Sequence, residues 1–123
     1  MKIVYVDDDE DLRDIVELAL LSHGGFELQC STDGASALAL VEQWQPDAVL
    51  SDVHMAGMDG MALLAELQSN PATARIPLIF LTATTDRQKR AGMLALGARG
   101  IIDKPFDPRR LGEHLAEMVS GAS

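Results

Sequence analysis

From one end of the chain to the other, short apolar bursts alternate with stretches of helical period. That alternation constrains the fold more than any single residue does. KIVYV (2–6), FELQC (26–30), DAVLSD (47–52), PLIFLT (77–82) and RGIID (99–103) have the length and composition of strands, FELQC being the weakest because of Glu27 and Gln29. Between the first two, Leu12, Ile15, Val16, Ala19 and Leu20 recur at i, i+3, i+4, i+7 and i+8, one face of a helix that stops near His23-Gly24-Gly25. Asp33 is placed to cap a second helix with Ala37, Leu38, Val41 and Trp44 on its apolar side, ended by Pro46. Met61, Leu64 and Leu67 suggest a third helix closed by Asn70-Pro71, and a fourth runs over roughly 86–96 with Gly97 just past its end. Asp107-Pro108 pairs an N-cap with a proline at N1 ahead of Leu111, Leu115, Met118 and Val119.

Strands this short, separated by helix-length connections, pair in parallel through right-handed crossovers. The expectation is one α/β domain over residues 1–123, a doubly wound five-stranded parallel sheet with five helices and no effector domain. Ligands of such sheets sit beyond the carboxyl ends of the strands. Those ends carry Asp7 and Asp8 after the first strand, Asp52 on the third, Thr82 on the fourth and Lys104-Pro105 after the fifth. The second ends in Cys30-Ser31 and offers little.

Three carboxylates on one rim raise one another's pKa and resist ionising together, a conflict that a divalent cation resolves. Oxygen ligands at a solvent-facing rim suit Mg²⁺. A carboxylate beside such a cation can act as a nucleophile toward a phosphoryl group, a transfer that needs mainly positioning and charge neutralisation. Lys104 supplies a second positive charge and Thr82 a hydroxyl. Each residue alone has a plainer reading: a helix start for Asp7 and Asp8, a turn residue for Asp52, a β-former for Thr82, a surface lysine for Lys104. Asp9, Glu10 and Asp11 read as first-turn acids favoured by the helix dipole.

The net charge of −9 argues against a nucleic-acid surface, which needs a basic stripe; Arg87 to Arg90 and Arg109-Arg110 are too short to supply one. The single cysteine, Cys30, has no internal disulfide partner and reads as a packed, inert thiol, which favours a cytoplasmic setting. No apolar run approaches the ~20 residues of a membrane span, and there is no signal-peptide pattern. Trp44 reads as packing at a helix end, Met55, Met58 and Met61 as filling space near the third helix, His23 and His114 as solvated helix residues, and the final SGAS as a frayed tail.

VYVDDDEDLR, VLSDVHMAGMDG, IFLTA and IIDKPF together resemble the four signatures of the response-regulator receiver domain of two-component phosphorelay systems, over essentially the whole chain. The resemblance implies a flavodoxin-like sheet of order 2-1-3-4-5. It also implies Asp52 as phosphoacceptor, Asp7 and Asp8 as the acidic pair that holds Mg²⁺ with Asp52 and the main-chain carbonyl of His54, Thr82 as the switch hydroxyl and Lys104 as the lysine that pairs with the phosphoryl group. Asp8 would be the direct ligand, with Asp7 working partly through water. A cis Lys104-Pro105 bond is implied too. The phosphoryl donor would be a histidine kinase or a histidine phosphotransfer protein, docking on the first helix around Leu12, Ile15 and Val16. Output to a downstream protein or effector domain would run through the fourth helix, fifth strand and fifth helix, with no direct nucleic-acid or membrane contact.

The chain departs from the family pattern at Ala56, where proline is common, and at Ile101, where the family often has an aromatic rotamer switch. An aliphatic side chain cannot make the ring movement that couples to Thr82. His54 and Thr84 occupy positions that tune phosphate lifetime in the family.

Two other site readings compete. Asp7-x-Asp9 behind a strand resembles the start of a haloacid-dehalogenase-type phosphatase, which would make Asp7 the nucleophile, leave Asp52 unexplained and require a further acidic motif after the lysine. Asp7, Asp9 and Asp11 fit positions 1, 3 and 5 of an EF-hand loop, but Leu12 stands where glycine is needed and Leu18 where the bidentate glutamate belongs. A receiver-like module that binds partners without phosphorylation is the third alternative.

Overall fold

The computed structural model describes residues 1–55 and 57–121. Ala56 and the last two residues of the expected tail lie outside them. The chain runs β1 (Lys2–Val6), α1 (Glu10–His23), β2 (Glu27–Ser31), α2 (Gly34–Trp44), β3 (Ala48–Asp52), α3 (Gly60–Ser69), β4 (Leu78–Thr82), α4 (Arg87–Ala95), β5 (Gly100–Asp103) and α5 (Pro108–Ser120). All strand pairs are parallel, in the order β2-β1-β3-β4-β5. The doubly wound sheet and its flavodoxin-like order are as expected.

Successive side chains of a strand point to opposite faces, and both faces of this sheet are covered. Ile3, Tyr5, Leu50, Ile79 and Leu81 pack with Val16 and Leu20 of α1 and Leu111 and Leu115 of α5. Val4, Val6, Val49 and Phe80 pack with Ala37 and Val41 of α2, Leu63, Leu64 and Leu67 of α3, and Met93 of α4. Burial on both faces is why β1, β3 and β4 read as nearly continuous apolar runs. The edge strand β2 is covered less, and there Cys30 is exposed rather than packed. Its thiol pKa is nonetheless raised, by partial desolvation and then by the Glu17 carboxylate.

Every helix starts on an aspartate whose carboxylate accepts first-turn N–H groups: Asp9, Asp33, Asp59, Asp86 and Asp107. Asp9 is thus the N-cap of α1, bonded from Leu12 N–H, and not a first-turn acid; Glu10 and Asp11 fill the first turn. Gly24 and Gly97 take positive φ where α1 and α4 end, the conformation that favours glycine there. The C-terminus differs from expectation, since Ser120 closes α5 and Gly121 caps it in the left-handed region. Two helix faces are also rotated from the simple pattern. Val16 is fully buried while Ile15 is 46% exposed, and α3 buries Leu63 with Leu64 and Leu67 while Met61 is only partly covered. Trp44 packs against the core at the end of α2 beneath the Lys2 ammonium. Met55 is buried and Met58 half-buried beside α3. His23 is exposed, whereas His114 is half-buried on α5.

Among the described residues no helix is long and apolar enough to cross a membrane.

Candidate functional site

At the carboxyl rim of the sheet, Asp7 follows β1, Asp52 closes β3, Thr82 closes β4 and Lys104 follows β5. Parallel register brings them together: Asp52 is level with Leu81, and Thr82 with Asp103. One carboxylate oxygen each of Asp7, Asp8 and Asp52 lies within 4.8 Å of the others. The Lys104 ammonium stands 3.3 Å from Asp52 Oδ1 and 3.9 Å from Asp7 Oδ2.

The three acids differ in surroundings. Asp7 is fully buried and Asp8 exposed, and the Asp52 side chain is 13% exposed. Asp7 is held at four atoms. Its N–H donates to Ser31 O at 3.1 Å, its carbonyl accepts from Arg13 Nη1 at 2.8 Å, Oδ1 accepts from Asp9 N–H at 2.9 Å, and Oδ2 accepts from the Tyr5 hydroxyl at 2.7 Å. Burial pushes the Asp7 carboxyl above the usual carboxylate range, with the Asp52 charge adding to it, while the Tyr5 and Asp9 bonds and Lys104 work the other way.

Asp52 Oδ1 also accepts from Val53 N–H at 2.8 Å, and its carbonyl accepts from the Ser51 hydroxyl at 2.7 Å. Gly60 donates to Val53 O at 2.8 Å, closing the loop onto α3. A Cβ at Gly60 would sit 2.8 Å from Phe80 and 3.0 Å from Val53 Cα and would meet the Asp52 carbonyl. Only glycine lets α3 start this close to the site.

Thr82 is 2% exposed, and its hydroxyl accepts from Thr84 N–H at 3.2 Å. Arg90 Nη1 bridges from α4 to Asp103 Oδ1 at 2.6 Å and to Thr84 O at 3.2 Å, tying the loop after β4 to the end of β5. His54 is exposed two residues past Asp52, and the Lys104-Pro105 bond is cis. Ile101 is half-buried and lines a groove of about 380 Å³ with Phe106, His114 and Met118.

The rim therefore gathers Asp7, Asp8, Asp52, Thr82 and Lys104. Sequence reading missed Tyr5, although a lone hydroxyl-bearing side chain in an aliphatic strand, two residues before Asp7, was a visible signal. It also missed Arg13 and Arg90, for which the sequence carries no comparable mark. Asp9 and Asp11 lie within or at the cap of α1, which excludes an EF-hand loop at this point.

The acidic cluster could hold a cation. Residues 3–116 match the response regulator receiver domain. The chain is 36% identical over 110 residues to the Pyropia yezoensis protein described as "Probable transcriptional regulator ycf29", a match that takes in 89% of this chain and 49% of that protein; the chain thus spans about half the length of this curated relative. Chemotaxis protein CheY4 of Vibrio cholerae superposes with a TM-score of 0.87 at 31% identity, over 95% of this chain and 97% of that one. The signal receiver domain of a signal transduction histidine kinase from Syntrophus aciditrophicus gives 0.83 at 30% identity, over 99% and 92%. A family match over nearly the full length, together with structures this similar, establishes that the chain belongs to the response regulator receiver domains.

Proposed function

We propose that this receiver domain accepts a phosphoryl group on Asp52 from a phosphohistidine of a histidine kinase or histidine phosphotransfer protein, in a Mg²⁺-dependent reaction that drives a conformational signalling switch. The observation that carries the reading is the Lys104 ammonium 3.3 Å from Asp52 Oδ1, with oxygens of Asp7 and Asp8 within 4.8 Å of an Asp52 oxygen. The donor set fits Mg²⁺, being all carboxylate oxygen at a half-open rim. Asp7, Asp8, Asp52 and the His54 carbonyl would hold it. Bound there, the cation would neutralise charge on the transferred phosphoryl oxygens.

An Asp52 carboxylate oxygen forms the new O–P bond as the donor's N–P bond breaks, and the histidine leaves with the electron pair of that bond. Lys104 stays paired with Asp52 and meets the incoming negative charge. The Thr82 hydroxyl, which accepts from Thr84 N–H, has its own proton to donate to a phosphoryl oxygen, and turning toward that oxygen would shift the loop that Arg90 ties to β5. Phosphorylation and slow hydrolysis of its own Asp52 would be the only chemistry, so the protein is a switch and not an enzyme with a separate substrate. A cytoplasmic setting and a downstream protein or effector domain follow from this reading, and the net charge of −9 speaks against direct nucleic-acid contact. The phosphatase alternative would need Asp7 as nucleophile, yet that carboxylate is fully buried while Asp52 is the partly open one.

Incubation with Mg²⁺ and acetyl phosphate, followed by intact-mass measurement, tests the proposal. One phosphoryl group should add to the wild type and none to Asp52→Asn or to wild type in EDTA. If acetyl phosphate and a competent phosphohistidine donor both fail to modify the wild type, the chain is a phosphorylation-independent interaction module.

A further inference from the structure

Tyr5 stands out on β1. Its neighbours Ile3, Val4 and Val6 are aliphatic, and its ring is fully buried among core residues of the α1–α5 side, a slot that Phe or Leu could fill. Only the hydroxyl distinguishes it, and that hydroxyl donates to Asp7 Oδ2 at 2.7 Å. Both groups are fully buried. The distance is in the short range of hydrogen bonds to ionised acceptors.

The geometry points to Tyr5 as a positioning residue that acts through its hydroxyl to fix the Asp7 carboxylate for the divalent cation. This deepens the function proposed above and rests on it. Each carboxylate oxygen accepts about two hydrogen bonds or ligands. Tyr5 fills one site on Oδ2 and Asp9 N–H one on Oδ1, leaving one of each for the cation or its waters. With the main chain held by Ser31 and Arg13, the carboxylate can neither rotate nor withdraw. Partners of metal ligands that act in this way typically govern affinity by about 10–100-fold.

Tyr5→Phe keeps the ring and removes the donor. Calorimetric titration with Mg²⁺ should show roughly tenfold weaker binding, and the Mg²⁺ concentration for half-maximal phosphorylation by acetyl phosphate should rise more than the maximal rate falls. In an Asp7→Asn background the same change should have no further effect. A Tyr5→Phe protein that folds, by circular dichroism, and binds Mg²⁺ like the wild type overturns the inference. Should Tyr5→Phe not fold, the wild type still decides. Tyr5 is the only tyrosine, so ¹³C at tyrosine Cζ gives one resonance. It should move as Mg²⁺ saturates and stay still in Asp7→Asn; no movement in the wild type overturns the assignment. Normal Mg²⁺ binding and Asp52 modification with an unaffected Tyr5→Phe would sink this inference alone. A wild type that neither binds Mg²⁺ nor takes up a phosphoryl group would sink both readings.

Discussion

The Lys104 ammonium bridges two carboxylates of unequal exposure, lying 3.3 Å from Asp52 Oδ1 and 3.9 Å from the fully buried Asp7 Oδ2. It stands beside the space where a cation would sit, and so repels that cation while partly neutralising the acids. Lys104→Met should therefore bind Mg²⁺ more tightly, by roughly tenfold for a unit charge removed at this range in a partly screened site. Phosphorylation should slow at the same time, because the charge facing the transferred group is gone. Calorimetry and phosphorylation rates at saturating Mg²⁺ check the pair of effects, which a general loss of structure would not produce in opposite directions.

Asp7 sets a pH dependence in the metal-free protein. Its folded-state pKa is raised above that of the unfolded chain, chiefly by desolvation. Its contribution to stability is thus fully present below an unfolded value of about 3.9 and is lost as pH rises through the raised folded value. Measured by urea unfolding in EDTA, Asp7→Asn should gain on the wild type as pH climbs from acid toward neutrality. A constant difference across that range contradicts the assignment.

Gly60 is required by close approach. An alanine methyl group would press on Phe80 and Val53 and on the Asp52 carbonyl. Gly60→Ala should cost about 1–3 kcal/mol through overpacking and slow Asp52 modification by displacing the loop. Denaturant midpoints and acetyl phosphate kinetics measure the two.

Docking on α1 can be separated from core packing residue by residue. Ile15 is 46% exposed and Val16 fully buried, so the expected donor surface keeps Leu12 and Ile15 but not Val16. Ile15→Lys should leave stability within about 0.5 kcal/mol and slow transfer from a phosphohistidine donor while acetyl phosphate still works. Val16→Ala should instead lose about 2 kcal/mol by opening a cavity.

How much of this was legible beforehand depends on the kind of information involved. Five strands, five helices and the rim residues followed from period and from where apolar runs stop, because a sheet buried on both faces leaves that imprint on β1, β3 and β4. The edge strand misled, since β2 is covered less and Cys30 lies open. Sheet order was not in the periodicity at all and came only from the family's four signatures. Helix period gives a face only to within a residue or so, which is why it sets Ile15 beside the buried Val16 although Ile15 is exposed. The bond on Asp7 from Arg13, and the Arg90 bridge to Asp103 thirteen residues away, depend on side-chain reach in three dimensions. A linear pattern does not encode that reach.

Asp52 is the residue proposed to carry the phosphoryl group. After phosphorylation with acetyl phosphate and Mg²⁺, borohydride reduction converts an aspartyl phosphate to homoserine, and peptide mass spectrometry locates the change. The structure's arrangement predicts conversion at Asp52 alone. Conversion at Asp7 or Asp8, with Asp52 untouched, would contradict the account.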